Sequence, residues 1–387
     1  GQRLAMLGGA ALGAVEVGHL TPAMRPAPDG LGPGHIGYLV TGSKALGDIV
    51  IGSTIVEQGS TTVVPLHGPS KTHLHPTVFA AAFPGDAAQL PAFRRALDRL
   101  LLTDGSVAAE AAHSAVLGAG FRLGFLGPLH MDVFRERLGE DFDGDIVFTA
   151  PSVGYQVTGK DGKSCVVTAP EDFPDGAELS KVREVAEPVV RCTITVPDYC
   201  VGDAVALIAA RRGDLLEQDF LEGQRMRIVA QLPLAELVAA GVAGCLVDRL
   251  QSASSGHATL SYDVDGWRAV DIVKVGVLLN GDPVDVLARL VHRSAAVSEG
   301  RACIARLRDT LDRQQFPVAL QAAINGRIIA RDTLPAVRKD VVAKCYGGDG
   351  TRKKKLLEQQ RRGKEKMRRI GRVEVRAETF ADLVRIK

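Results

Sequence analysis

VVRCTITV, residues 189–196, puts Val190, Cys192, Ile194 and Val196 on one side of an extended chain and Arg191, Thr193 and Thr195 on the other. Side chains of a strand alternate between two faces, so this is a strand with one face in a core and one toward water. The residues beyond it decide the fold. GDAVALIAARR (202–212) has helical apolar spacing, RMRIVAQL (225–232) returns as a strand, PLAELVAAGVAGCLVDRLQS (233–252) is a second helix and HATLSYDV (257–264) a further strand. Strands and helices in this alternation predict a split-βαβ, ferredoxin-like unit.

The same order occurs upstream. TVFAAAF (77–83) reads as a strand, and AFRRALDRLLL (92–102) is a helix with Phe93, Leu97, Leu100 and Leu101 on one face. FRLGF (121–125) alternates like a strand, PLHMDVFRERLGEDF (128–142) is a helix with Pro128 at its start, and DIVFTA (145–150) closes the unit. With SVAAEAAH (106–113) as second strand, the order is β-α-β-β-α-β. Between the two units, TGKDGKS and APEDFPDGAE read as a polar connector, and before them short β-prone runs such as IGYLV and DIVIGSTI alternate with turn clusters such as PDGLGPG. The fold class expected is α+β and multidomain. Residues 1–70 are the end of a β-barrel, 71–157 a ferredoxin-like domain, 158–187 a connector, 188–270 a second ferredoxin-like domain and 271–387 a basic C-terminal α/β domain.

Length and composition agree with this division. The 387 residues suffice for two to four domains, and 46% hydrophobic residues are ordinary for globular cores. Six cysteines without a CxxC pair fit neither a zinc knuckle nor a disulfide framework and point to a reducing compartment. The opening GQRLAMLGGAALGAVEVGHL resembles a secretory signal in its small apolar residues, but its glycines, the early Glu16 and the absence of an initiator Met favour a barrel strand in a chain that begins within a longer protein. No run reaches the ~18 apolar residues of a membrane span.

Charge is unevenly spread. The chain carries only +2, yet residues 338–372 hold 14 Lys/Arg and 4 Asp/Glu, a net +10, against −8 for the rest. Such a dipole marks a surface that faces a polyanion. Within this window a helix is expected from about Thr351, with Leu356, Met367 and Ile370 as a narrow apolar stripe. Arg352, Lys353, Lys354, Lys355, Arg361, Arg362, Lys364, Lys366, Arg368 and Arg369 cover the remainder, with Arg338, Lys339 and Lys344 upstream. Tyr346 offers a ring for base stacking, and Gly347 and Gly348 let backbone N–H groups approach a phosphate. The plainer alternatives are a solvated helix or a nuclear-localisation run.

Other candidate chemistry is thin. His67, His73 and His75 in LHGPSKTHLH have metal-ligand spacing but no nearby Cys or acid to complete a set, which favours solvated linker residues. His130 and Asp132 in GFLGPLHMD lie two apart, and i,i+2 residues do not face each other on a helix, so His130 is expected to pack or cap. No GxSxG, HExxH, Cys-His or GxxxxGK[ST] pattern occurs. No catalytic residue, metal or cofactor is therefore assigned to this chain.

One long block, RQQFPVALQAAINGRIIARDTLPAVRKDVVAKCYGGDGTRKKKLLEQQRRGKEKMRRIGRVEV (313–375), together with GFRLGFLGPLHMDVFRERL, TAPSVGYQV and INGRIIAR, resembles the LepA family, the back-translocating elongation factor 4, including its mitochondrial members. The resemblance runs over nearly the whole chain. It implies a translational GTPase, with GTP and Mg²⁺ as cofactors of the intact family, that binds the factor site of the ribosome. Its distinctive C-terminal domain would contact ribosomal RNA and tRNA, promoting reverse translocation and fidelity. The family's G domain, with its P-loop and NKxD, has no counterpart here, so this chain alone is not expected to hydrolyse GTP. Three departures stand out: Gly350 where the family has Ile, Pro128 where it has Leu, and RAETF where it has PQEAF. They suggest an organellar member in the mitochondrial matrix, associated with ribosomes and with a membrane surface. The alternatives are a bacterial cytoplasmic member and, in another class, a non-enzymatic ribosome-assembly or dormancy factor.

Overall fold

The computed structural model describes residues 2–6, 11–42, 54–60, 76–238, 246–339, 341 and 350–370, with the side chains of 177, 365, 366 and 368–370 excepted. These fall into two compact units. One comprises 1–76 with 97–107, and the other 77–96 with 108–387.

The first unit is antiparallel β-structure, as its turn-rich sequence predicts. Its strands are β1 (Arg3–Met6), β2 (Ala11–Thr21), β3 (Ala23–Pro26), β4 (Gly37–Thr41) and β5 (Ile55–Glu57). They run in the order β3-β2-β1-β5, with β4 also paired to β2. Met6 and Leu12 are buried.

The second unit holds three sheets. The first contains β6 (Val78–Pro84), β7 (Ala108–Ser114), β8 (Gly118–Phe125) and β9 (Ile146–Phe148), with helices α1 (Leu90–Thr103), whose residues from Leu97 are grouped with the first unit, and α2 (Pro128–Asp141) between them in sequence. The order β7-β8-β6-β9 places the first and third strands at the centre, which is the split-βαβ arrangement. Pro128 occupies the start of α2, where its missing N–H costs nothing. Phe93 stacks edge-on against Phe142 at 5.3 Å, and Phe125 against Phe134 at 5.4 Å. Gly120 on β8 lies under the Phe83 ring. A Cβ there would sit 2.4 Å from Phe83 Cδ1 and 2.5 Å from the Ala82 carbonyl oxygen. Because that oxygen is backbone and cannot turn aside, Gly120→Ala is expected to cost about 1–3 kcal/mol by overpacking, read as a lower urea midpoint at unchanged m-value.

The second sheet is built on β12 (Val182–Pro197). Before it come β10 (Tyr155–Gly159) and β11 (Ser164–Val167); after it come α3 (Val201–Ala210), β13 (Asp214–Leu221), β14 (Arg225–Pro233), α4 (Leu234–Val238), α5 (Leu246–Ala253) and β15 (Thr259–Ala269). The order β11-β10-β12-β14-β13, with β15 on the other side of β12, contains the same split-βαβ core. Val190, Cys192, Ile194 and Val196 are buried as the alternation requires. Three features differ from expectation. Strand β13 was hidden because all eight of its residues are exposed, leaving no apolar alternation to read. TGKDGKS, read as connector, is the turn of the β10–β11 hairpin, with Gly162 at φ +80°. The long helix expected over 233–252 is described as α4 and α5, and residues 239–245 lie outside the described part.

Beneath this sheet sits a fully buried carboxylate. Glu187 accepts two hydrogen bonds from Arg212, at 2.8 and 2.9 Å, and one from Arg268 at 3.3 Å. Arg212 also donates to Glu236 at 2.9 Å and Arg268 to Asp214 at 3.0 Å. The network thus ties β12 to α4, β13 and β15. Burial in the same region pushes the Tyr155 hydroxyl well above its ordinary pKa, with the Glu187 charge adding to the effect.

The third sheet contains β16 (Ile272–Leu279), β17 (Asp282–His292), β18 (Val318–Ile324) and β19 (Arg327–Leu334), with helix α6 (Ala296–Thr310) between its hairpins and α7 (Gly350–Ile370) after them. It is antiparallel in the order β17-β16-β18-β19. Both hairpins turn at Asn-Gly pairs, Asn280–Gly281 and Asn325–Gly326, with every φ positive, matching the twist of the strands they join. Ile304 and Leu307 of α6 are buried in one cluster with Val275, Val277, Leu320 and Ala322.

Candidate nucleic-acid interface

Helix α7 is 21 residues long, about 32 Å at ~1.5 Å per residue. It carries ten Lys/Arg against two Asp/Glu. One face is anchored. Lys353, Leu356, Gln360 and Lys364 are half-buried at spacings of three and four, so they share that face. Gln360 donates to the Lys339 carbonyl at 2.8 Å, and the Lys364 ammonium reaches Gln315 Oε1 at 3.2 Å. The segment that receives the helix is itself held down: Val337 N–H donates to the Gln314 carbonyl at 2.9 Å, and Leu334, Ala336 and Phe316 are buried.

The other face is open. Arg352, Lys354, Lys355, Arg361 and Arg362 are exposed, as are Arg338 and Lys339 upstream. The ion pair of Arg362 with Glu358, at 3.4 Å and well exposed, offsets little of this charge. No acid stands in the first turn of α7, where the helix dipole is positive and Arg352, Lys353, Lys354 and Lys355 crowd together. Such an arrangement of like charges at the positive end of the helix dipole is unfavourable in isolation.

The structure brings together nine of the sixteen residues singled out from the sequence: Arg338, Lys339, Arg352, Lys353, Lys354, Lys355, Arg361, Arg362 and Lys364. Lys366, Arg368 and Arg369 occupy helical positions, but their side chains lie outside the described part, as do Lys344, Tyr346, Gly347 and Gly348. Of the expected apolar stripe, Leu356 is half-buried, Met367 is not, and the side chain of Ile370 lies outside the described part. Met367 is 51% exposed, and the packing is made by Leu356 together with the polar side chains of Gln360 and Lys364. Reading only apolar residues as packing residues missed these two anchors; their i,i+4 spacing opposite Lys355 and Arg362 was the available signal.

The remaining candidates do not gather into a site. His130 packs edge-on against Phe125 at 5.6 Å and accepts from the Leu126 N–H at 3.2 Å, while Asp132 pairs with Arg135 at 3.4 Å. His67, His73 and His75 lie outside the described residues. Among the described residues, no group of three or more His, Cys, Asp or Glu is placed to hold a metal. Burial pushes the Cys192 thiol up to about 11, an inert core thiol. The sole Gly-Lys-Ser triplet, 162–164, closes a hairpin, whereas phosphate-cradling loops run from a strand into a helix.

Comparison with known proteins agrees with this layout. The family model described as elongation factor G C-terminus matches residues 184–277, so the second sheet belongs to a translation-factor class of domain. The model described as GTP-binding protein LepA C-terminus matches residues 279–385, which include α7 and its support. The chain is 45% identical over 368 residues to elongation factor 4 of Streptomyces avermitilis, covering 95% of this chain and 57% of that protein. It is 44% identical over 382 residues to elongation factor 4 of Cutibacterium acnes, covering 99% and 61%. The chain belongs to the LepA, or elongation factor 4, family. It spans about three fifths of the length of the curated relatives it matches. A solved structure from Thermus thermophilus overlaps 70% of this chain and 56% of that one at 17% identity and a TM-score of 0.37, too loosely to add to the fold.

Proposed function

We propose that this chain is the ribosome-binding C-terminal part of a LepA-type translation factor and that the open face of α7 meets ribosomal RNA or tRNA. The observation that carries this is the division of α7 into a face anchored by Gln360 and Lys364 and an opposite face of exposed Lys and Arg. Phosphates are the complement of such a face, and ribosomal RNA presents them at high density. Reverse translocation and fidelity are the activities proposed for the intact factor. GTP and Mg²⁺ are assigned to a nucleotide-binding domain outside this sequence, which contains no P-loop.

The setting we propose is the bacterial cytoplasm, because the relatives described above are bacterial. The organellar setting expected from the loop departures gains no support from them. Among the described residues no helix is long and apolar enough to cross a membrane, and association with a membrane surface has no observation behind it.

The stretch ahead of α7, with Tyr346, is assigned a shaped contact and the helix a diffuse one. Tyr346→Ala is expected to weaken binding of the chain to purified ribosomes by about 1–3 kcal/mol through lost base stacking, while leaving the salt dependence of binding unchanged. Sedimentation at several salt concentrations measures both quantities. Unaltered affinity of Tyr346→Ala would return the ring to a packing role and confine the RNA contact to the helix.

A further inference from the structure

The sheet of β6–β9 and the sheet of β16–β19 meet in a narrow seam. Phe83 and Val147 from the first join a buried cluster with Val284, Val286 and Leu287 from the second. Beside them is a cleft of about 40 Å³, mostly apolar in its walls but with His113, Arg122, Glu171 and Asp285 on its lining, and roomy enough for a water. Burial, reinforced by the neighbouring Asp285 charge, raises the pKa of the Glu171 carboxyl there.

One carboxylate crosses this seam. Asp285 Oδ1 accepts from Ser114 Oγ at 2.8 Å, across 171 residues of sequence, and from Val286 N–H at 2.8 Å; Oδ2 accepts from Ala115 N–H at 2.7 Å. Ser114 is 1% exposed, and its Oγ accepts in turn from the N–H groups of Val116 at 3.1 Å and Leu117 at 3.2 Å. Asp285 therefore heads the hydrogen-bond network of the turn that joins β7 to β8. The C-terminal sheet has a second tie, the short link from β15 to β16, where Val270 N–H donates to the Val185 carbonyl at 2.9 Å and Arg293 N–H to the Asp271 carbonyl at 3.0 Å.

We propose that Asp285 is a latch that docks the C-terminal sheet, and α7 with it, onto the β6–β9 sheet, and that the seam opens as a unit when the latch is released. Among the buried members of that cluster, Phe83 and Val147 come from the β6–β9 sheet and the others from the C-terminal sheet, α6 and their flanks, a division that suits one layer docked on another. Charge-assisted hydrogen bonds to one carboxylate are directional and are lost together. With the latch open, the C-terminal sheet pivots about the Val270–Asp271 link and α7 changes its reach. The latch stands apart from the RNA assignment, since it concerns only how the two sheets are joined.

Hydroxyl-radical footprinting of the full chain tests it, because Phe83 is buried at the seam while Phe93 and Phe134, outside that cluster, are buried against Phe142 and Phe125 in the helix layer of the β6–β9 sheet. In Asp285→Ala, oxidation of Phe83 is expected to rise several-fold with Phe93 and Phe134 unchanged. Asp285→Asn, which keeps the side chain's shape but turns an N–H group toward the Ala115 N–H or the Ser114 hydroxyl, is expected to act in the same direction and serves if the alanine variant does not fold. Unchanged Phe83 oxidation in the folded variant overturns the latch. So does a parallel rise at all three rings, which would make Asp285 a residue of general stability.

Discussion

Replacing Lys354, Lys355, Arg361 and Arg362 together with Gln is expected to flatten the salt dependence of ribosome binding. All four side chains are exposed, and Lys355 and Arg362 lie on the side of α7 opposite Gln360 and Lys364. Each phosphate contact releases a condensed counterion, so the slope of log affinity against log salt falls by about 0.7–0.9 for each contact removed. If the parent chain makes roughly six to ten such contacts, its affinity drops ~10³- to 10⁵-fold between about 50 and 200 mM salt. Losing four contacts shrinks that drop by about 50- to 150-fold, a difference visible in sedimentation or filter binding. Because all four are exposed and the ion pair of Arg362 with Glu358 is worth little, the thermal midpoint is expected to shift only slightly. A variant that binds more weakly with an unchanged slope would show that this face does not meet phosphates.

The second large effect is on stability. Glu187→Ala leaves the guanidinium groups of Arg212 and Arg268 without the carboxylate they share. Removing one member of a buried ion pair costs about 3–5 kcal/mol, mostly the penalty of the charge left behind. Both arginines retain a second acid, Glu236 and Asp214, and both reach some solvent, so the lower end of that range applies. Equilibrium unfolding in urea reads the loss directly. A cost below about 1 kcal/mol would mean that the network contributes specificity of packing rather than stability. Glu187→Gln, which keeps one acceptor oxygen, is expected to fall between the parent and Glu187→Ala.

Both split-βαβ units were legible because their central strands are amphipathic. Val190, Cys192, Ile194 and Val196 announce β12 by alternation, and Phe93, Leu97 and Leu100 announce α1 by helical spacing. Strand β13 was not legible for the converse reason: DLLEQDFL lies at a sheet edge with every residue exposed, so its pairing with β14 leaves no trace in hydropathy. The charge of α7 was plain in the composition, whereas its orientation was not. A helix dominated by lysine and arginine has no apolar face to identify, and the anchors turned out to be polar. Contacts such as Ser114 with Asp285 join residues too far apart for any local pattern to reveal. The stretch 344–348, which carries the most family-specific residues, lies outside the described part, and its role stays a proposal from sequence.

The central position of β12 bears on how the chain can be made. Its first residues pair with β10, already made, but its Ala186 also pairs with Ala269 and its Val196 with Met226, so over most of its length its partners β14 and β15 are synthesised after it. At ~5–20 residues per second, the stretch from Ala186 to Ala269 takes roughly 4–17 s to emerge. Throughout that interval a long strand with an apolar face waits with unfilled backbone donors and acceptors on one or both edges, the condition in which nascent chains pair with the wrong partner. Pro188, which has no N–H to offer and sits where the pairing with β15 slips register, interrupts that edge. Codon choice across 214–269 thereby becomes a physical variable for this protein, because it sets how long the half-built sheet is left open.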